Sequence, residues 1–133
     1  MVCIYCGAKT QVFNSRAQKR TNQVWRRRRC HNCLAVFTTL EAVDTAATWL
    51  VALKNGSKAA FERDTLFLSL YDCLKHVSNP VAAATSLTET IIPKLTPLVT
   101  AGVLPRSAVV SVSQVTLQRF DTVAGMQYAA LHR

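Results

Sequence analysis

The chain has 133 residues, half of them hydrophobic, and a formal net charge of +9. That size allows one ordinary domain, or one small module plus a compact body, with enough apolar content for a packed core. Cys3 and Cys6 stand where a secretory leader would place its charged and apolar regions, and no apolar run approaches membrane-spanning length, so neither a secretory leader nor a membrane partner is expected.

The charge is concentrated. The first forty residues hold eight of the 16 Lys and Arg and none of the seven Asp and Glu. A basic lobe on a nearly neutral body points to a polyanionic partner for the lobe. Within it, Cys3-Ile4-Tyr5-Cys6 and Cys30-His31-Asn32-Cys33 are two knuckles of equal spacing. Two such pairs supply four thiolates in a tetrahedron, a closed shell that suits a structural rather than catalytic Zn2+. His31 is a rival ligand, but the matching knuckle offers cysteine at the equivalent place. Cys73, the fifth cysteine, lies in an apolar helical pattern and reads as core. An odd count fits a reducing compartment better than an oxidised scaffold.

Gln11–Asn14, Gln23–Arg28 and Ala35–Leu40 are short β-prone segments. Residues 1–41 therefore read as a zinc ribbon of antiparallel strands, too small to fold without the metal. Arg26, Arg27, Arg28 and Arg29 run into the second knuckle. On a strand, Arg26 and Arg28 share one face while Arg27 and Arg29 share the other. Arg16, Lys19 and Arg20, placed in the preceding loop, broaden the patch. Arginine forks bind phosphate bidentately and read guanine in the major groove, which makes these seven residues the candidate DNA contacts. Trp25 and Tyr5 are expected in the small core, with base stacking as the alternative.

Residues 42–47 read as a linker, and a second unit spans 48–133. Trp49–Leu53 and Ser57–Ala60 suit the two strands of a hairpin turning at Asn55-Gly56. Lys54 and Lys58 flank that turn and could approach phosphates, although an ordinary solvated hairpin would look the same. Leu66, Phe67, Leu70, Tyr71, Leu74 and Val77 recur at helical spacing. Asn79-Pro80 reads as the cap and first residue of a further helix that Pro93 ends or kinks. From Ala108 to Thr116, Val, Ser and Thr favour a strand, with a helix from Pro105 to Phe120 as competitor. Asp121 caps a last helix, Thr122–His132, whose expected packing residues are Val123, Met126, Tyr128 and Leu131. No catalytic constellation and no phosphate-binding glycine loop is present, so an enzyme is not expected.

The order Cys-x-x-Cys, Asn14-Ser15-Arg16, Arg26-Arg27-Arg28-Arg29-Cys30-x-x-Cys33 and Phe37-Thr38-Thr39-x-Glu41 resembles the zinc ribbon of the NrdR family, bacterial repressors of ribonucleotide reductase genes. Leu53-Lys54-Asn55-Gly56, Phe61-Glu62-Arg63-Asp64-x-Leu66 and Asp121-Thr122-Val123-Ala124 resemble parts of that family's ATP-cone. The resemblance implies an α+β fold: a zinc ribbon, then a mostly helical ATP-cone-like domain with a small β cap. It implies ATP or dATP as effectors near Lys54, Asn55, Gly56 and Lys58, double-stranded DNA as partner, homo-oligomers, and action at the nucleoid in the bacterial cytoplasm. The chain departs from the pattern at Asn14, an aspartate in the family. Leu53 and Thr65 stand for lysines, and Gly125 and Gln127 for a tyrosine and an arginine. Fewer cations weaken a phosphate site. Two alternatives follow: a relative that binds DNA and assembles without nucleotide control, and a ribbon that binds RNA or RNA polymerase.

Overall fold

The β-prone stretches of the first third pair with one another. In the computed structural model, which describes residues 1–133, strands β1 (Thr10–Gln18), β2 (Gln23–Cys30) and β3 (Val36–Glu41) form an antiparallel sheet in the order β1-β2-β3. A bulge at Phe13 shifts the register, so that Val12 faces Arg28, Asn14 faces Arg27 and Arg16 faces Trp25. β1 continues past Asn14 because the ladder with β2 satisfies its backbone groups, whatever its composition. Arg16 is thus a strand residue rather than a loop residue, and Lys19 and Arg20 occupy the turn.

Residues Met1–Val43 make one compact unit. Its core is small: Cys3, Cys30 and Phe37 are buried, with Ala8 and Ala35 packed against them. Trp25 and Tyr5 are not in that core; they are 49 % and 72 % exposed. For Trp25 the cause is side-chain alternation. Phe37 faces Arg28 across the β2–β3 ladder and Trp25 faces Leu40, so Phe37 and Trp25 lie on opposite faces.

Residues Asp44–Arg133 make the second unit. Helix α1 (Thr45–Thr48) opens it, inside the stretch read as linker, because Asp44 caps it by accepting the Ala47 N–H at 3.2 Å. Strand β4 (Leu50–Ala52) pairs antiparallel with β5 (Lys58–Ala60) and parallel with β6 (Val103–Pro105). The helices are α2 (Arg63–Asp72), α3 (Pro80–Leu95), α4 (Arg106–Phe120) and α5 (Thr122–Leu131). Trp49 and Phe61 meet edge-on at 5.4 Å in a core shared with Leu66, Leu70, Ile91, Leu104, Leu117 and Tyr128. Cys73 is fully buried there. The whole is α+β, and no helix is long and apolar enough to cross a membrane.

Caps match the sequence closely. Asn79 accepts the Ala82 N–H at 3.2 Å, with Pro80 at the first helical position. Asp121 accepts the Ala124 N–H at 2.8 Å and also bonds His76 Nε2 at 3.1 Å. Two open readings are decided and one packing expectation fails. Pro93 does not end α3; the helix continues to Leu95, whose burial with Ile91 offsets the missing N–H. Ala108–Thr116 is helix, not strand, because helical spacing buries Ser113, Thr116 and Leu117 together and lets the Thr116 hydroxyl donate to the Val112 carbonyl at 2.8 Å. In α5 the packed residues are Ala124, Gly125 and Tyr128, whereas Val123, Met126 and Leu131 are exposed.

Gly125 explains that rotation of α5. A Cβ there would lie 2.7 Å from Cα of Gln118 on α4 and would also meet the Gln118 side-chain oxygen. Gln118 Cα is backbone and cannot swing aside, so α4 and α5 approach closely only through glycine. Gly125→Ala is expected to destabilise the helical unit by about 1–3 kcal/mol. Urea unfolding followed by Trp49 emission measures it; a midpoint equal to the parent's would show that the helices can part at no cost.

Candidate metal centre and nucleic-acid interface

The knuckles are tight turns at the ends of strands, each closed by its own backbone. The Cys3 N–H donates to the Ala8 carbonyl at 2.8 Å, and the Cys30 N–H donates to the Ala35 carbonyl at 2.9 Å. The residue after the second cysteine of each pair is left-handed: Gly7 at φ +73° and Leu34 at φ +61°. Glycine takes that conformation freely, whereas leucine pays about 1–2 kcal/mol. Leu34 is 69 % exposed, so side-chain burial offers little in return; the knuckle geometry imposes the conformation.

The four sulfurs converge. Sγ of Cys3 and Cys33 are 3.6 Å apart, those of Cys6 and Cys30 are 3.5 Å apart, and all four lie within 4.8 Å of one another. Zinc–sulfur bonds of about 2.3 Å in a tetrahedron place sulfurs about 3.8 Å apart, close to the spacing of both measured pairs, so the cluster suits zinc. Backbone N–H groups already point at the sulfurs: Tyr5 N–H to Cys3 at 3.4 Å, and Asn32 and Cys33 N–H to Cys30 at 3.3 and 3.5 Å. The Tyr5 and Cys6 N–H groups lower the Cys3 pKa. The Ala8 N–H, with Cys30 and Asn32, lowers that of Cys6 to about 6. At Cys33 the Ala35 N–H also pulls downward, but burial and the neighbouring sulfurs outweigh it and push the thiol up to about 12. Four sulfurs this close do not all ionise unaided, and a dication at their centre supplies the missing charge. His31 is exposed and outside the cluster.

The arginine run divides by face. Arg26 is half-buried and bonds Glu41 at 2.9 Å; Arg28 is half-buried and its Nε donates to Thr39 at 3.1 Å. Arg27, Arg29 and Arg16 are exposed on the opposite face with Trp25 and Asn14. There Arg27 donates to Thr38 at 3.0 Å, and the Arg29 guanidinium stacks 5.1 Å above the Phe13 ring. Glu41 is the only acidic residue of Met1–Val43, and it lies on the Arg26 face. The face carrying Arg16, Arg27 and Arg29 thus bears no carboxylate.

The family model described as the N-terminal domain of NrdR-like transcriptional repressors matches residues 1–41. A "Transcriptional repressor NrdR" of Aromatoleum aromaticum is 32 % identical over 134 residues, spanning all of this chain and 77 % of the relative. Those of Polynucleobacter necessarius and Cupriavidus metallidurans are also 32 % identical over 136 residues, spanning this whole chain and 89 % and 85 % of their own lengths. The chain belongs to the NrdR family. The four-cysteine cluster is accordingly the structural zinc site of an NrdR-type ribbon.

In the helical unit, a cavity of about 430 Å³ lies between the small sheet and helices α2, α4 and α5. Its walls are mostly apolar, among them Val51, Leu53, Phe61 and Val109; Arg106 is its only Lys or Arg, and Glu62 and His132 also line it. His132 stacks on Tyr128 at 4.1 Å, and burial together with the nearby Arg106 charge lowers its pKa. Lys54, Asn55, Gly56 and Lys58 are not among the walls. Lys54 Nζ instead bonds the Arg133 carbonyl at 2.6 Å, and the Asn55 side chain accepts from Ser57. Sequence reading missed Arg106 and His132 because neither lies in a motif; only the fold brings them to one cavity.

Two outcomes test the ribbon. Cys30→Ser is expected to remove zinc and disorder residues 1–43 while the helical unit stays folded; metal analysis and amide exchange by NMR measure both, and one retained zinc per chain would contradict it. Leu34→Gly is expected to stabilise the zinc-loaded ribbon by about 1 kcal/mol through relief of the left-handed leucine, less the entropy that glycine adds to the unfolded chain. Slower zinc loss to a chelator reports it.

Proposed function

We propose that the chain is a transcriptional repressor acting at ribonucleotide reductase genes in the bacterial cytoplasm, through a zinc-held ribbon that binds operator duplex. One observation carries the reading: Arg16, Arg27 and Arg29 stand exposed on one sheet face that bears no carboxylate. An antiparallel β-ribbon fits the major groove, and guanidinium forks reach phosphates or guanine edges from it. Lys19 and Arg20, in the turn between β1 and β2, extend the basic surface along the ribbon. Arg26 and Arg28, engaged by Glu41 and Thr39, add to the field that attracts DNA rather than to its direct contacts. The zinc holds the ribbon rigid and takes no part in chemistry.

A repressor reads repeated half-sites by assembling. Val123, Met126 and Leu131 on α5, and Phe120 at the end of α4, expose apolar surface that a second copy would cover. ATP and dATP acting on the helical unit would bias that assembly only through different affinities for its states. The cavity favours a second reading, in which nucleotide control is weak or lost. A triphosphate needs several cationic partners, and the walls supply Arg106 beside an opposing Glu62.

Arg16→Ala with Arg27→Ala is expected to weaken operator binding at least tenfold and to flatten the dependence of log affinity on log salt by about two. A salt slope matching the parent's would count against phosphate contact by this face. Calorimetry of the zinc-loaded protein with ATP and with dATP separates the two readings. Saturable heat accompanied by a change in oligomer mass supports nucleotide control; its absence leaves assembly without an effector.

A further inference from the structure

The ribbon's core leaves out the side chain best suited to fill it. Trp25 is 49 % exposed and Phe13 is 52 % exposed, while the buried cluster consists of Cys3, Cys30 and Phe37. A unit with so little apolar surface to bury gains nothing in stability by turning its only tryptophan outward. Trp25 forms one wall of a cleft of about 270 Å³ completed by Asn14, Arg16, Arg27 and Thr38. All five belong to the face without a carboxylate.

Each wall offers a different contact. The indole offers a flat π surface. Arg16, across the ladder from Trp25, and Arg27, two residues along β2, offer guanidiniums beside it, with reach to flanking phosphates. The Asn14 amide and the Thr38 hydroxyl offer donors and acceptors for a base edge. In a duplex the faces of the bases are already stacked on one another and only their edges are open, so an indole on a sheet surface has no base face to meet. An unpaired base does present its face, and aromatic side chains exposed on a basic sheet are how single strands are held. Phe13, under the Arg29 guanidinium, gives a second platform on the same face.

We propose that this cleft binds an unpaired nucleobase of single-stranded nucleic acid, stacked on Trp25 with its phosphates held by Arg16 and Arg27. This activity goes beyond operator binding by the duplex. Stacking on a bare indole tolerates every base, so the binding is sequence-tolerant. A surface of this kind would engage the strand exposed where a duplex is opened, or a transcript leaving it. Both present the same chemistry, an unpaired base between two phosphodiesters.

The test uses the full zinc-loaded chain and labelled mixed-sequence strands of about 12 nucleotides, as DNA, as RNA and as the matched non-operator duplex, by fluorescence anisotropy at physiological salt. Both single strands, or one of them, are expected to bind at least about tenfold tighter than the duplex; the tighter of the two identifies the source. Trp25→Ala is expected to lose about tenfold or more on that strand, and Trp25→Phe to keep most of the affinity, with any loss on operator duplex clearly smaller than the loss on the single strand. One zinc per chain in each variant certifies the fold. Duplex binding as tight as single-strand binding, or a Trp25→Ala variant equal to the parent, would overturn the proposal. A protein that ignores single strands but binds the operator sinks this inference and spares the repressor reading. One that binds single strands but no operator does the reverse.

Discussion

The ribbon depends on four sulfurs meeting at one point. Its core buries one aromatic ring and two cysteines, with two alanines partly buried against them, far less than ordering about forty residues costs. Hydrogen bonds of the ladders do not close that gap, because water satisfies the same groups in the unfolded chain. What closes it is a dication that requires thiolates and finds them at nearly its own spacing. The same demand sets the backbone. Each knuckle aims N–H groups at its first sulfur and exits through a left-handed residue, which the first pair meets with Gly7 and the second with a strained Leu34. The turn that imposes this strain is closed by the Cys30 N–H on the Ala35 carbonyl.

Once the second knuckle fixes the Cys30 end of β2, alternation does the rest. Cys30 points into the small core, so Arg28 and Arg26 share its side and Arg29, Arg27 and Trp25 take the other. A run of four like charges would otherwise repel itself along its length. Here the ladder separates it into two pairs on opposite faces, with the single acid of the unit beside one pair and none beside the other. The asymmetry between the faces follows from one buried cysteine and a period of two.

Features that chemistry fixes locally were legible in the sequence. The cysteine spacing, the Asn79-Pro80 and Asp121 caps, and the alternation of the arginines need only neighbours in the chain to be read. What stayed open or failed needed neighbours in space. Ala108–Thr116 carries strand-forming residues, yet Ser113, Thr116 and Leu117 are buried together only as a helix. Of the large side chains expected to pack from α5, only Tyr128 does; Val123, Met126 and Leu131 are exposed, and close approach to Gln118 selects Ala124 and Gly125 beside Tyr128. Trp25 was assigned to the core by the same habit of counting large apolar side chains as buried. The bulge at Phe13 and the ladder with Leu40 put it outside. The cavity of the helical unit was beyond sequence reasoning, since its polar walls come from Glu62 and α2, from α4 and from the last turns of the chain.

That cavity also bears on how the two units came to differ in charge. A binding site for polyphosphate and a binding face for DNA both need cations, and this chain places them unequally. The ribbon carries eight Lys and Arg against one acid, while the main cavity of the helical unit has Arg106 opposed by Glu62 among largely apolar walls. Electrostatic attraction to nucleic acid therefore resides in the ribbon, and the helical unit offers shape and apolar surface instead. A ligand entering that cavity would be held chiefly by burial of its apolar faces, with one guanidinium to orient it. Such a ligand would leave the ribbon's charge as it is, because zinc and strand pairing fix that charge, so any effect on the ribbon's partner would have to pass through the shape or assembly of the helical unit.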